Sequence, residues 1–334
     1  MKKVKTLRTM SIMLMLGASL TAVHTASADP LKVDNAFFEK QKQVVMDQTV
    51  TNSSNDASAS KEVQKLENAD YLYMSTDGQV YSSKRGYLGA AKKDDDIEAS
   101  RVGDQPSPPI SGNGPAVKDV NGGTTGAFER KQLAYSGFDS ITSDITLPKV
   151  SGLGAGEQPW VYYGFDSDNA SIEAGYAYQT GTFRWLPYIR SNGFYYADSA
   201  YQKYDGNRIN SVQFYLAKTA TSDTYYNAYM VVGGTQVTIA PTKFTDSDAN
   251  STSVKKVTSI AKKAFDGTNI EGRTMNQRYD NVQVSLFYQD QAYPWTQYPE
   301  SSDFRNNKWY GTIDNPISYV HRDWDSTSIY KDTN

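Results

Sequence analysis

From about residue 127 onward the chain is a succession of short runs rich in Tyr, Val, Ile, Phe and Thr. Clusters of Gly, Asn, Asp and Ser separate these runs, among them SITSDITLPKV, QPWVYYGFD, ASIEAGYAYQ, TFRWLPYI, GFYYAD, NRINSVQFYLAK, DTYYNAYMVVGG and TQVTIAP. Several runs alternate apolar and polar residues, which is the period of a half-buried strand. Short strands with turn signals between them predict an all-β fold, an antiparallel sandwich or barrel.

The chain before this region has a different composition. LKVDNAFFEKQKQVVMDQ indicates a short helix, and TDG at 76–78 predicts a hairpin because Asp-Gly tolerates the positive φ of a tight turn. The stretch 102–126 is dense in Pro and Gly and predicts an extended linker or a long surface loop. We therefore expect an irregular N-terminal segment, 29–125, followed by a β-sandwich domain, 126–334. Within the latter, SVKKVTSIAKKAF fits a helix and a bulged strand about equally.

Residues 1–28 have the parts of a secretory signal peptide. Four basic residues within the first eight precede the apolar run MSIMLMLGASLTAV and a small-residue cleavage site, Ala26-Ser27-Ala28. The run is too short for a membrane anchor, and no other segment is apolar enough to cross a bilayer. We expect a secreted, extracellular protein with no membrane span after cleavage. The chain has 0 Cys, which in an exported protein favours a bacterial source.

Charge and composition exclude several classes of function. The net charge of the chain is −3, and loss of the four cationic signal residues takes it to −7, which disfavours a nucleic-acid partner. His321 is the one histidine left after cleavage. The sequence therefore disfavours nucleophiles activated by histidine and zinc sites that need several histidines. GLGAG at 152–156 lacks the Lys of a phosphate loop, and we predict no cofactor. The acidic turns DSDNAS and DSDAN lack the Gly and Glu of an EF-hand and indicate capped turns, with no metal site.

Three blocks of the sequence resemble the glutamic peptidases, the eqolisin family. GFDSITSDITLPKVSG is similar to the family's opening strand, WVYYGFDSDNASIEAGY to its tryptophan-led strand and the strand after it, and FRWLPYI to its aromatic Glu-Trp-Tyr-Pro strand. The resemblance covers about 127–265 and implies a concanavalin-like jelly-roll sandwich of two antiparallel sheets.

The same resemblance argues against the family's activity. It places the active-site tryptophan on Trp160 and the catalytic glutamine on Glu173, where a carboxylate changes the chemistry. Arg184 replaces an acidic residue of the family, while Trp185 and Pro187 match. The counterpart of the catalytic glutamate is Lys255 or Lys256, so the catalytic pair is not retained.

Glu173 is the carboxylate of most interest. Strict alternation puts it on one strand face with Gly175 and Ala177, and puts Ile172, Ala174, Tyr176 and Tyr178 on the other. One interpretation is a solvent-facing glutamate on a strand whose Tyr face is core. The other is a functional group with Arg184 or Trp160 beside it, and a glycosidase would need a second carboxylate such as Asp166 or Asp168.

The aromatic residues of these strands suggest a carbohydrate surface. A sheet lined by flat rings with interspersed polar groups can stack on sugars, whereas a sandwich core buries the same rings. The candidate ligand-binding residues are Trp160, Tyr162, Glu173, Arg184 and Trp185, with Tyr188, Tyr195 and Tyr196 as further members of the aromatic set.

Three functions are consistent with these observations. The first is a secreted, non-catalytic binding module for carbohydrate or cell-wall polymer. The second is a hydrolase of peptide or glycosidic bonds that uses Glu173 as base or nucleophile beside Arg184. The third is a structural surface or matrix protein. A sandwich fold by itself does not choose among them.

Overall fold

The computed structural model describes residues 33–51, 56–93, 125–219, 223–262, 270–289, 291–302, 317–321 and 324–330. The predicted signal peptide and most of the predicted linker lie outside these residues. No helix in the described ranges is both long and apolar enough to cross a membrane.

Two helices precede the first strand. Helix α1 spans Asn35–Thr51 and α2 spans Asp56–Glu67. The carboxylate of Asp34 accepts the backbone N–H of Phe37 at 3.0 Å and caps the start of α1. This confirms a helix in LKVDNAFFEKQKQVVMDQ and shows that the N-terminal segment has more regular structure than its sequence indicates.

The strands follow in chain order. They are β1 (Asp70–Met74), β2 (Gln79–Ser82), β3 (Gly86–Ala90), β4 (Lys92–Lys93), β5 (Thr125–Gln132), β6 (Phe138–Thr146), β7 (Lys149–Ser151), β8 (Glu157–Asp166), β9 (Ser171–Gln179), β10 (Arg184–Ser191), β11 (Phe194–Ala197), β12 (Arg208–Ala217), β13 (Asn227–Val232), β14 (Gln236–Pro241), β15 (Ser253–Lys262), β16 (Arg273–Leu286), β17 (Ala292–Pro294), β18 (Ile317–His321) and β19 (Trp324–Ile329). SVKKVTSIAKKAF therefore contributes a strand, β15, up to Lys262.

These strands form two sheets, here called the large sheet and the small sheet. The large sheet has 12 strands in the order β18-β19-β16-β6-β12-β13-β14-β1-β2-β3, with β7 and β17 also pairing with β16. The small sheet has 7 strands in the order β4-β11-β10-β9-β8-β15-β5. Neighbouring strands are antiparallel except β1 and β14, which are parallel. The structure confirms the predicted all-β sandwich.

The main hydrophobic core lies between the two sheets. Phe165 of β8 stacks on Phe214 of β12 with ring centroids 5.1 Å apart, and Trp185 of β10 is fully buried in the same cluster. A second cluster lies between the helices and the large sheet, where Phe38 and Val45 of α1 pack with Tyr229 of β13. The helices thus cover the large sheet and leave the outer face of the small sheet to other contacts.

Strands from both sides of the predicted boundary at 125–126 share sheets. The Asp-Gly hairpin forms as predicted, with Gly78 at φ 81° between β1 and β2. Through β1 this hairpin extends the large sheet, while β4 pairs with β11 at the edge of the small sheet. The N-terminal segment is therefore built into both layers of the sandwich.

Arg85 fastens this segment to the small sheet. Its guanidinium contacts Asp70 of β1 at 2.9 Å and makes a bidentate pair with Asp198, just after β11, at 2.6 and 3.1 Å. Both carboxylates are buried, so each needs a cationic partner.

We expect Arg85→Ala to lower the free energy of unfolding by about 2 kcal/mol, because two buried carboxylates lose their partner while the arginine itself is partly exposed. Urea unfolding followed by fluorescence measures this change. Lys65→Ala is the control, since Lys65 pairs with Glu62 at the surface of α2 and its loss should cost less than about 1 kcal/mol. Equal costs for the two variants would contradict a fastening role.

Candidate functional site

The candidate site lies on the outer face of the small sheet, which points away from the core. The strand register places Arg190 of β10 opposite Glu173 of β9, Glu173 opposite Gly164 of β8, and Gly164 opposite Lys255 of β15. Ile172, Ala174, Tyr176 and Tyr178 point into the core between the sheets. The alternation predicted for β9 is therefore confirmed.

Glu173 is held in a row of buried charges. Its carboxylate lies 3.3 Å from Lys255 Nζ and 3.8 Å from Arg190 Nη1, and Lys255 Nζ also lies 2.7 Å from Asp166. Gly164 makes room for this arrangement, because a Cβ at its position would come within 2.4 Å of Lys255 Cε. Glu173 is 1% exposed, so the interpretation of a solvent-facing glutamate is wrong. The two cations supply the compensation that a carboxylate needs away from water.

An aromatic cluster adjoins the charged row on the same face. The Trp160 ring meets Tyr188 edge-on at 4.9 Å and Tyr195 at 5.7 Å, and Tyr162 belongs to the same cluster. The Arg190 guanidinium lies 5.7 Å from the centre of the Trp160 ring and links the cluster to the charged row. Burial raises the pKa of the Tyr188 and Tyr195 hydroxyls well above its ordinary value, so both stay neutral hydrogen-bonding groups.

A cavity of about 470 Å³ opens beside this cluster. Lining residues on the outer face by register number seven: Lys92, Gln158, Ala177, Gln179, Leu186, Tyr195 and Ala197. The other lining residues are Ala90, Tyr178, Thr180, Tyr196 and Ser199. Among described residues the lining holds amides, hydroxyls, aromatic rings and a single cation, with no carboxylate and no histidine.

Glu173 does not reach this cavity. Along β9 it lies four residues from Ala177, which is about 13 Å at the rise of a strand. Trp160 of β8 is closer to the cavity, because it lies directly opposite the lining residue Ala177 of β9. Its indole Nε1 is buried with no hydrogen-bond partner among the described residues.

The structure separates two of the predicted site residues from Glu173. Trp185 lies on the opposite face of β10, in the core, where its Nε1 donates to Asp205 at 3.0 Å. Arg184 lies on the outer face but pairs with Gln179, six positions from Arg190 and about 20 Å away along the strand. Arg190 is therefore the arginine beside Glu173. Arg184 and Arg190 are an even number of residues apart, so strand alternation puts both on one face. Only the register shows which of them lies opposite Glu173.

The two lysines of β15 have different roles. Lys255 points to the outer face and takes part in the charged row, whereas Lys256 points between the sheets. There Lys256 contacts Asp325 and lies 4.4 Å from the centre of the Trp295 ring. Burial lowers the pKa of Lys256 to about 7. Lys255 is thus the residue that occupies the position across from Glu173.

The two acidic turns hold each other through hydrogen bonds. Asp248 accepts from Ser167 at 3.0 Å, from Asn169 at 3.1 Å, and from both the backbone N–H and the hydroxyl of Thr245. These bonds lower the pKa of Asp248 against the opposing effect of burial. No group of three or more metal-ligating side chains occurs in the ranges that the structure describes. The turns act as caps that join β8–β9 to the loop before β15.

Comparison with known proteins gives structural neighbours only. No protein-family model matches the chain, and no curated protein matches it. The fold is similar to scytalido-glutamic peptidase with a transition state analog inhibitor, at 12% identity and a TM-score of 0.41, over 62% of this chain and 99% of that one. It is also similar to SCP-B, a member of the eqolisin family of peptidases in a complex with a tripeptide, at 14% identity and a TM-score of 0.40, over 62% and 99%.

A further neighbour is the carbohydrate binding module CBM66 from Bacillus subtilis. The identity is 14% and the TM-score 0.24, over 48% of this chain and 91% of that one. The neighbours are all β-sandwiches, and they include the family that the three sequence blocks resemble.

Proposed function

We propose that this chain is an extracellular, non-catalytic module that binds carbohydrate or a related cell-wall polymer in the cavity beside Tyr195. The composition of the cavity wall carries the proposal. Gln158, Gln179 and Thr180 offer neutral donors and acceptors around a floor of small apolar residues and tyrosine rings. Sugars present hydroxyl groups at their edges and C–H groups on their faces, and this wall offers partners to both.

Trp160 supports the same conclusion. A buried polar hydrogen that finds no acceptor in the protein is rare in folded chains. Among the described residues the Trp160 indole N–H has no acceptor, and its cross-strand neighbour Ala177 lines the cavity. A ligand oxygen that reaches this edge of the cavity would supply one.

The charged row does not provide the catalyst that a hydrolase needs. Asp166 and Glu173 both contact Lys255 Nζ, at 2.7 and 3.3 Å, so an ammonium group stands between the two carboxylates. In a glycosidase the scissile oxygen lies between the carboxylates. The hydrolase hypothesis therefore requires Lys255 to leave a buried ion pair before substrate can enter.

Co-sedimentation with peptidoglycan, chitin, cellulose and an insoluble β-glucan tests the proposal. We expect the protein to sediment with at least one of them and to release no reducing ends. The double variant Gln158→Ala/Gln179→Ala should weaken that binding by roughly tenfold, because two hydrogen-bonding groups at the cavity are lost.

Gln297→Ala is the matched control for this variant, since Gln297 is exposed and does not line the cavity. It should bind as the parent does. Release of reducing ends that disappears in Glu173→Gln would instead identify a hydrolase. Failure of the parent to bind any of the four polymers would overturn the carbohydrate proposal and favour the hypothesis of a structural surface or matrix protein.

A further inference from the structure

The hairpin between β9 and β10 carries an exposed phenyl ring on a strained backbone. Phe183 has φ 57°, in the left-handed region, and Gly181 two residues earlier has φ 89°. A side chain in this region costs about 1 kcal/mol or more, and glycine or asparagine normally occupies such a hairpin position. The Phe183 side chain is also 71% exposed to water. Both features oppose stability, and neither is offset by burial of the ring in the core.

This hairpin forms one end of the cavity. Gln179 and Thr180, which line the cavity, are the last residue of β9 and the first of the turn. On the other arm, Arg184 shares the outer face with Leu186, another lining residue, two positions further along β10. Phe183 therefore lies at the rim of the proposed binding site.

A second exposed ring lies at the same end of the face. The backbone of Lys203 pairs with Trp185, which places Tyr204 beside Arg184. The Arg184 guanidinium lies 5.5 Å from the centre of the Tyr204 ring, which is 54% exposed. A cation held against one side of a tyrosine ring fixes the orientation of that ring.

We infer that Phe183 and Tyr204 form a stacking surface that continues the cavity outward, so that the ligand is a polymer chain of several sugar units and not a single sugar. This inference rests on the proposed function and specifies its ligand. Backbone strain and exposed apolar surface are common at recognition sites, and at Phe183 they coincide with the turn that ends the cavity. An aromatic rim next to a polar cavity suits a chain that leaves the cavity across the hairpin.

The test compares short and long probes on parent and Phe183→Gly protein. The probes are the dimers and hexamers of β-1,4-linked N-acetylglucosamine and of β-1,4-linked glucose, titrated by calorimetry. We expect the parent to bind a hexamer more tightly than its dimer. Phe183→Gly should weaken hexamer binding by roughly tenfold and leave dimer binding within about twofold, while its melting temperature is equal to or above that of the parent. Tyr204→Ala should weaken hexamer binding in the same direction.

Tyr288→Gly is the matched control. Tyr288 also has a positive φ, 63°, and is 76% exposed, but it lies between β16 and β17 and does not line the cavity. It should bind both lengths as the parent does. A lower melting temperature for Phe183→Gly, or equal hexamer affinity in parent and variant, would overturn the stacking surface while leaving the cavity proposal intact. A parent that sediments with a polymer but binds no hexamer more tightly than its dimer would overturn this inference alone, whereas failure to bind any of the four polymers would overturn the proposed function and this inference together.

Discussion

Replacement of Glu173 by leucine is expected to lower the free energy of unfolding by about 3–5 kcal/mol, the usual cost of removing one partner from a buried ion pair. The carboxylate is 1% exposed and contacts both Lys255 and Arg190. Without it, the two cations remain in a low-dielectric environment and lose one of their compensating charges. Glu173→Gln keeps the shape and removes the charge, so its cost should be of the same sign and smaller.

Urea unfolding of the parent and of single and double variants measures this effect. Glu173→Leu combined with Lys255→Met should recover part of the loss, because the second substitution removes a buried charge that the first one left less compensated. Glu67→Gln is the control for Glu173→Gln, since Glu67 is exposed at the end of α2 and its replacement should change stability by less than about 0.5 kcal/mol. If Glu173→Leu is as stable as the parent, the charged row does not stabilise the fold.

The same variants show whether Glu173 takes part in ligand binding or only stabilises the fold. Glu173 lies about 13 Å along its strand from Ala177 in the cavity wall, so Glu173→Gln that stays folded should bind polysaccharide as the parent does. Loss of binding in a folded Glu173→Gln variant would indicate that the ligand binds at the charged row and not in the cavity.

Local patterns were sufficient to predict the fold class and the orientation of single strands. Alternation in ASIEAGYAY assigned Glu173 and Ile172 to opposite faces, and the Asp-Gly pair located the first hairpin. Both features depend on neighbours within a few residues. The parallel pairing of β1 with β14 joins residues more than 160 positions apart, and no local pattern indicates it.

The membership of the site depends on register, which the sequence does not show. Trp160 and Trp185 both sit in aromatic strands, yet one lies in the outer cluster and the other in the core. Arg184 and Arg190 share a face and differ only in which residue of β9 lies opposite. The apolar residues of SVKKVTSIAKKAF fit a helical face and a bulged strand about equally. Lys255 and Lys256 obscure the pattern of a buried strand, because both are buried and their partners come from other strands.

A second buried charge cluster, between the sheets, should make stability depend on pH in two opposite ways. Burial lowers the pKa of Lys256 from 10.5 to about 7, and burial raises the pKa of Glu129 from 4.5 to about 7. Lys131 lies 3.8 Å from Glu129 and 3.1 Å from Glu300, which completes the cluster. The unfolded chain binds more protons at Lys256 between pH 7 and 10.5, so this group makes stability rise with pH across that range. The folded chain binds more protons at Glu129 between pH 4.5 and 7, so that group makes stability fall with pH there.

Together the two groups should contribute a stability minimum near neutral pH, with a change on the order of 2 kcal/mol on each side. Urea unfolding in steps from about pH 5 to about pH 9 measures the profile and stays below the range where buried tyrosines ionise. Lys256→Met should reduce the rise of stability with pH above pH 7, and Glu129→Gln should reduce the fall of stability below pH 7. Lys149→Met, at an exposed position, should leave both parts of the profile unchanged. If Lys256→Met retains the parent's slope above neutral pH, Lys256 keeps its proton throughout. In that case the contact with Asp325 outweighs desolvation, and the lysine acts as a permanent ion-pair partner inside the sandwich.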